Sequence, residues 1–506
     1  MPRPDRSPSH LLARNSLYNF LGGVIPAIAS LLTVPVIVSH LGEAQYGVFA
    51  LLSAIIGYFA VLDINVAAGS IKFLSEYQAQ GDHDRAGQVV SSGTLIYTLI
   101  GILGGSALFL FAHRIVPYFK VDAELVQVTG LALQVGGISF CFGQLQAYLT
   151  SVPQALHRYD VSGRFEATFG TLVSFSTLGV VLVGGDLVHI MWVRLILSVL
   201  NVFLLAIRIR KLLPDLKLRL PSAGVLKSVT AFSAYAYLSR ISSITYQNAD
   251  KLLIGGMIDM RAVAFYTVPF LLVNRLYGMC FRFGSVLFPF SSALAAENRT
   301  DELRETYLVA SRYFVYLNAC VCIALCLLAR ELLFYWAGKV FDEKAALVLV
   351  LIATAGFADT LTNLPSLVND GLGRPRNTGA FAILRALFGI SLAYWAIRHY
   401  GVIGAAYTQL GTACLMSFAF LIYIHKVSIP VSLRAVYLRA YRPTFGIVLG
   451  LVIVAALLVD RTPLGLRQFG ICGVLLMLVL MGYGWFVILM PPHRVLIANQ
   501  IRARLW

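Results

Sequence analysis

The sequence predicts an all-α polytopic membrane protein with about 14 transmembrane helices, and three observations predict it. Hydrophobic residues fill 58% of the 506 positions and charged residues only 13%, against roughly 45–50% and roughly 25% in soluble domains. The apolar residues gather into about 14 segments of roughly 20 residues, each able to cross a hydrocarbon core about 30 Å thick. Lys and Arg number 40 against 24 Asp and Glu, a net charge of +16, and the basic residues concentrate in alternate loops as the positive-inside bias requires. No nucleic acid partner is needed to explain that excess.

The N-terminus carries Arg3, Arg6 and Arg14 before an apolar stretch reaching about Ser39. This is too long for a signal-peptide h-region and reads as a retained first span. Further spans, each an apolar run between charged or turn-forming segments, fall near 46–67, 91–112, 125–151, 167–184, 187–207, 229–256 and 263–290, then 308–328, 345–368, 379–398, 401–424, 443–459 and 469–490. Glycine pairs at Gly22–Gly23, Gly104–Gly105, Gly136–Gly137, Gly184–Gly185 and Gly255–Gly256 permit close helix approach, while Pro26, Pro35, Pro269 and Pro289 interrupt backbone bonds inside spans. With both termini cytoplasmic, the inner segments hold about 24 Lys and Arg and the outer loops about 9. Residues 208–228 and 296–307 then lie inside and 330–344 outside. No external loop exceeds about 16 residues, which leaves no room for an external catalytic domain. The seven cysteines form no C-x-x-C pair, and Cys320, Cys322 and Cys326 on one helix read as small apolar filling.

An internal repeat organises the chain. A shift of 217 residues lays the segment Leu41 to Phe49 over Ile258 to Tyr266, and the amphipathic segment Phe73 to Asp84 over Phe290 to Asp301. A shift of 216 lays Ala155-Leu-His-Arg158 over Gly371-Leu-Gly-Arg374. A unit of six spans is even, so both copies keep one orientation and relate by an axis along the membrane normal. The expected organisation is a six-helix lobe over 1–228, a second over 229–442 related by pseudo-two-fold symmetry, and two additional helices with a cytoplasmic tail over 443–506. Two lobes about a central cavity imply alternating access.

No Walker phosphate loop, metalloprotease motif or nucleophile elbow occurs, and the segment Gly371 to Gly379 lacks the Walker spacing. Neither an enzyme site nor a cofactor or metal site is expected. The positive signal is charge inside the spans. Arg240, Ser243, Gln247, Asp250 and Lys251 recur along one stripe of span 7, with Tyr235, Tyr237 and Tyr246 nearby, and Arg275 and Arg282 lie seven apart on span 8 with Gly278 between them. Arg240 and Arg275 both come to roughly 18 Å depth, near the midplane. An isolated Arg there costs at least about 2.5–3.5 kcal/mol, so a water-filled cavity, a counter-ion or a ligand must compensate. The carboxylates Asp63, Asp250 and Asp359 are either salt-bridge partners of these cations or coupling sites for protons or sodium. Arg194 and Arg385 lie near enough to span ends to snorkel, and Arg312 begins span 9 as an anchor. A guanidinium offers a planar fork that suits phosphate, and tyrosines such as Tyr246, Tyr266 and Tyr277 suit sugar rings. The candidate binding residues are therefore Arg240, Arg275, Arg282, Lys251, Gln247 and Tyr246.

Four segments carry a family resemblance: Asn15 to Pro35, Leu41 to Phe49, Val61 to Ser70, and Asn248-Ala-Asp-Lys-Leu-Leu-Ile254. They resemble the polysaccharide transporter branch of the multidrug/oligosaccharidyl-lipid/polysaccharide superfamily, the Wzx-type O-antigen and exopolysaccharide flippases. That family often carries Gly where Asn65 stands. The resemblance implies a multi-pass protein of the bacterial cytoplasmic membrane that flips an undecaprenyl-pyrophosphate-linked glycan by alternating access, with a polysaccharide polymerase as a possible partner. Spans 13 and 14 resemble the extra pair that in lipid II flippases contributes a groove for the lipid tail. A cation-coupled drug antiporter of the same superfamily would want carboxylates in its cavity, and a glycan polymerase or ligase a long external loop.

Overall fold

A computed structural model describes residues 8–214, 223–284, 291, 299–338, 343–457, 464–495 and 499, with side chains except at 8–16, 223–236, 238–240, 449 and 451–457. The chain is all-α and polytopic: among the described residues ten helices are long and apolar enough to cross a membrane. Two are far longer than one crossing needs. Helix α1 (Pro8–Phe59) has 52 residues and breaks its helical dihedrals at Gly42, with φ 73° and ψ 172°. Near the C-terminus a 53-residue helix, Pro375–Val427, breaks at Gly401, with φ 60° and ψ −143°. Both glycines hold a backbone conformation open almost only to a residue without Cβ.

The remaining elements are α2 (Val66–Ala79), α3 (His83–Ile115), α4 (Ala123–Ala155), α5 (Tyr159–Leu182) and α6 (Leu187–Leu212). They continue with α7 (Ala223–Met257), α8 (Met260–Gly284), α9 (Thr300–Leu327), α10 (Ala329–Trp336) and α11 (Glu343–Gly371). The long helix Pro375–Val427 is α12, followed by α13 (Arg442–Leu457) and α14 (Leu466–Tyr483). Helices α3, α5 and α9 start at residues 83, 159 and 300, earlier than the expected spans, because hydropathy registers only the apolar part of a helix. Their polar first turns still form helix, and Asp82 caps α3 by accepting from the Arg85 amide at 2.9 Å.

The expected span 46–67 is broken. After a 3-10 turn at Ala60–Leu62 the chain turns at Asn65, in the left-handed region at φ 59°, and α2 begins. The Asp63 carboxylate accepts the Asn65 amide at 2.8 Å and shapes the turn. Asn is the residue with a side chain that best tolerates this region, so it can stand where the resembling family often has Gly.

Two compact units divide the chain: residues 1–268 with 382–405, and 269–381 with 406–506. They cut across the sequence repeat, since packing groups α7 with the first unit.

In the first unit α3 lies along α4, α4 along α6, and α1 along α5 and α7. The glycine pairs of α3 and α4 meet: a Cβ on Gly105 would lie 2.5 Å from the Gly137 oxygen, and one on Gly137 2.8 Å from the Gly105 oxygen. Tyr97 and Tyr148, both fully buried, stack at 5.1 Å, and the Tyr148 hydroxyl donates to the Val89 carbonyl at 3.2 Å.

In the second unit α9 is the post on which the C-terminal pair is fixed. Beyond α14 the chain makes a π turn at Gly484–Ile488, where shifted registry presents carbonyls sideways. Arg312 donates to the Val487 carbonyl at 2.5 Å and Tyr316 to that of Leu480. Arg312 thus holds this turn. Tyr483 donates to the Pro443 carbonyl at 2.6 Å, tying α14 to α13.

Backbone features recur at the offsets of the sequence overlay. Gly42 breaks α1, and 217 residues on, Asp259 stands in the gap between α7 and α8, where its carboxylate caps α8 through the Ala262 amide at 2.7 Å. His157 and Gly373, 216 apart, both have positive φ, 54° and 77°. Each precedes an Arg whose amide returns to a carbonyl five residues back, Arg158 to Pro153 at 2.8 Å and Arg374 to Asn369 at 3.1 Å.

Candidate functional site

The polar stripe of α7 is divided in the structure. Ser243 and Gln247 are exposed and Lys251 is half-buried, whereas Asp250, about 100° further round the helix than Lys251, is buried. Gln247 Nε2 donates to Ser243 Oγ at 3.3 Å, and Lys251 Nζ reaches back one turn to the Gln247 carbonyl at 2.8 Å. Asp250 Oδ2 accepts from the hydroxyl of the fully buried Tyr266 at 2.5 Å. Tyr266, read from the sequence only as a possible sugar contact, instead holds this carboxylate.

A residue set aside as snorkelling joins this group. The Arg385 guanidinium lies 4.5 Å from the centre of the Tyr246 ring, a cation–π contact that draws a second cation to the α7 face. Sequence reasoning could not bring residues 246 and 385 together, because their separation carries no period. The side chains of Arg240 and Tyr235 fall outside the described residues. Tyr237 is described, and its hydroxyl donates to the Val61 carbonyl at 2.6 Å.

In the second unit Arg275 is exposed and Arg282 half-buried on α8. Gly278 between them is exposed, and a Cβ there would meet nothing within 4 Å. The two residues thus stand roughly 10 Å apart along one helix face, with open space at Gly278 between them. On the inner side Tyr277 is buried and donates to the Ala353 carbonyl at 2.9 Å, which fixes the rotation of α8. The tyrosine hydroxyl is used for packing here.

The remaining carboxylates are each engaged. Asp63 is buried at the turn before α2. Asp359 of α11 accepts from Ser417 Oγ at 3.4 Å. Two more were missed. Glu166 on α5 reaches Gly22 of α1, where a Cβ would lie 3.3 Å from its Oε2. It sits eight residues into a helix that begins at 159, and so outside the span expected from 167. Glu331, in the segment expected as an outer loop, is buried in α10 and accepts the Leu464 amide at 3.4 Å. Among the described residues no group of three or more His, Cys, Asp or Glu is arranged to hold a metal.

The comparisons with known proteins agree with this fold. Residues 12–295 match the family described as "Polysaccharide biosynthesis protein". A Shigella flexneri protein named for O-antigen transport is 20% identical over 401 residues, covering 78% of this chain and 93% of that protein. A Haloferax volcanii protein bearing the flippase name AglR is 19% identical, covering 79% of this chain and 80% of its own. Among solved structures, the inward closed lipid II flippase MurJ superposes with a TM-score of 0.68 at 14% identity, over 94% of this chain and 99% of that one. An inward-facing MATE multidrug transporter of the MOP superfamily superposes with a TM-score of 0.69 at 14% identity, over 82% and 96%. More than half of the sequence lies in the family match, and the chain belongs to the polysaccharide biosynthesis protein family.

Proposed function

We propose that this protein is a flippase that moves an undecaprenyl-pyrophosphate-linked oligosaccharide, an O-antigen or exopolysaccharide repeat unit, from the cytoplasmic to the periplasmic leaflet. The observation that carries the reading is the α8 face of Arg275, Gly278 and Arg282: an exposed and a half-buried guanidinium flanking open space on a membrane-spanning helix. Hydrocarbon does not tolerate such a face, and an aqueous cavity with an anionic cargo does. Arg240, Arg275, Arg282 and Lys251 hold the pyrophosphate, the Arg groups through bidentate hydrogen bonds, while Gln247 and Tyr246 meet the first sugar.

In this reading two six-helix lobes, residues 1–228 and 229–442, alternate between inward-open and outward-open states, and the paired backbone turns at matching offsets support the duplication. The helices of 443–506 provide a groove for the lipid tail. The match to a lipid II flippase over 94% of the chain, against 82% for the MATE transporter, supports that assignment. A cation-coupled drug antiporter would want carboxylates in its cavity, and the spans carry more Arg than Asp or Glu. Proton or sodium coupling through Asp63, Asp250 or Asp359 remains part of the proposal.

The test is export of lipid-linked glycan by Ala, Lys and Gln variants at Arg240 and Arg275, after membrane insertion and thermal stability have been confirmed. Loss of a charge-assisted contact worth about 1.5–3 kcal/mol lowers export by about 10- to 100-fold, with partial rescue by Lys, which keeps the charge and loses the fork. Wild-type export by both Ala variants and by their double mutant overturns the assignment.

A further inference from the structure

Arg194 belongs to no part of that site. It is the eighth residue of α6, about 10 Å from the helix start, in a 26-residue membrane-spanning helix. Its direction is set by the two faces of that helix. Leu187, Ile190, Met191, Leu195, Asn201 and Leu205 form the buried stripe, while Trp192, Ile196, Val199 and Phe203 are exposed on the apolar outer face. Arg194 lies on the buried side, and its Nε is sealed from solvent without a hydrogen-bond acceptor. One face of the guanidinium is covered by the Phe49 ring of α1, 4.6 Å from its centroid. Among the described residues no carboxylate forms an ion pair with it. Further along the stripe the buried Asn201 also leaves its amide oxygen without a partner.

A guanidinium inside a membrane helix, set over one ring and paired with no carboxylate among the described residues, calls for a counter-charge. The Phe49 quadrupole offsets part of the cost but carries no net charge. We infer that Arg194 and Phe49 mark a binding site for a small monovalent inorganic anion such as chloride, inside the first compact unit. The charge argues for a monoanion, because one cation is to be neutralised. The site is structural in function, neutralising the Arg194 of α6 where it reaches Phe49 of α1, and it does not rest on the flippase reading.

The experiment uses the full chain in lipid nanodiscs at constant ionic strength, with chloride exchanged for bromide, gluconate or pyrophosphate. Thermal unfolding and chloride-35 NMR line broadening are the readouts. The wild type is expected to gain several degrees in Tm with chloride or bromide over gluconate, in a saturable manner, and to broaden the chloride line. Both effects should vanish in Arg194→Gln and persist with weaker affinity in Arg194→Lys. Equal stability in chloride and gluconate, or an unchanged chloride response in Arg194→Gln, overturns the inference. If Arg194→Gln does not fold, an Arg194→Lys variant with wild-type chloride affinity overturns it instead. Stabilisation by pyrophosphate beyond that by chloride, lost in both variants, would assign Arg194 to the transported headgroup and also overturn the small-anion site.

Discussion

Gly184 and Gly401, 217 residues apart, hold the same side of the backbone map, at φ 79° and φ 60°. One stands in the gap between α5 and α6 and the other at the bend of α12. The interval is the one at which the sequence overlays itself, so both overlaid positions carry a glycine with positive φ.

The bend can be tested without disturbing packing. A Cβ at Gly401 meets nothing within 4 Å, so Gly401→Ala is destabilising only through its backbone, by about 1–3 kcal/mol. Gly411→Ala, in the regular helix beyond and equally open, should be neutral or stabilising by up to about 1 kcal/mol. Thermal unfolding in detergent compares the two. Equal losses would remove the strained bend as the cause.

A close approach makes the opposite prediction for Gly47. A Cβ there would lie 1.8 Å from the Met260 carbonyl oxygen at the start of α8. Backbone cannot yield as a flexible side chain does, so Gly47→Ala should cost at least about 3 kcal/mol and sharply lower the yield of folded protein.

Tyr266→Phe should cost about 1.5–3 kcal/mol, the value of a hydrogen bond to a charged group, because the ring is fully buried and its bond to Asp250 is lost. Asp250→Asn keeps an acceptor and should cost less. A double-mutant cycle on Tm reads the coupling, and additivity would show the contact to be energetically idle.

Between α5 and α6, burial raises the Asp186 carboxyl, but the His189 amide and imidazole outweigh it and hold the group below its ordinary range. A carboxylate with a depressed folded pKa stabilises above its unfolded pKa, and that contribution fades as pH falls through the folded value. Asp186→Asn should therefore show a small loss of Tm at neutral pH that shrinks to nothing in acid. Half the side chain is exposed, so salt should weaken the effect.

Topology is open to cysteine labelling. Ala337, in the segment expected outside, is buried, so a probe there would fail for want of access. Glu343 and Lys211 are exposed at the ends of α11 and α6. In a background lacking the seven native cysteines, an impermeant reagent added outside should label Glu343→Cys and miss Lys211→Cys. The reverse would invert the orientation.

The sequence by itself determined the class and the order of spans, because lipid imposes length and apolarity on each helix. It also marked Asp250 and the Arg residues as costly, since that cost follows from composition and depth alone. Tertiary structure decided which neighbour meets the cost. Asp250 is held by Tyr266, Arg385 stacks on Tyr246, Arg312 anchors a π turn, and Arg194 rests on Phe49. Those pairings join helices distant in sequence, and helix rotation about its own axis, which settles them, is fixed by packing against neighbours that no local period encodes.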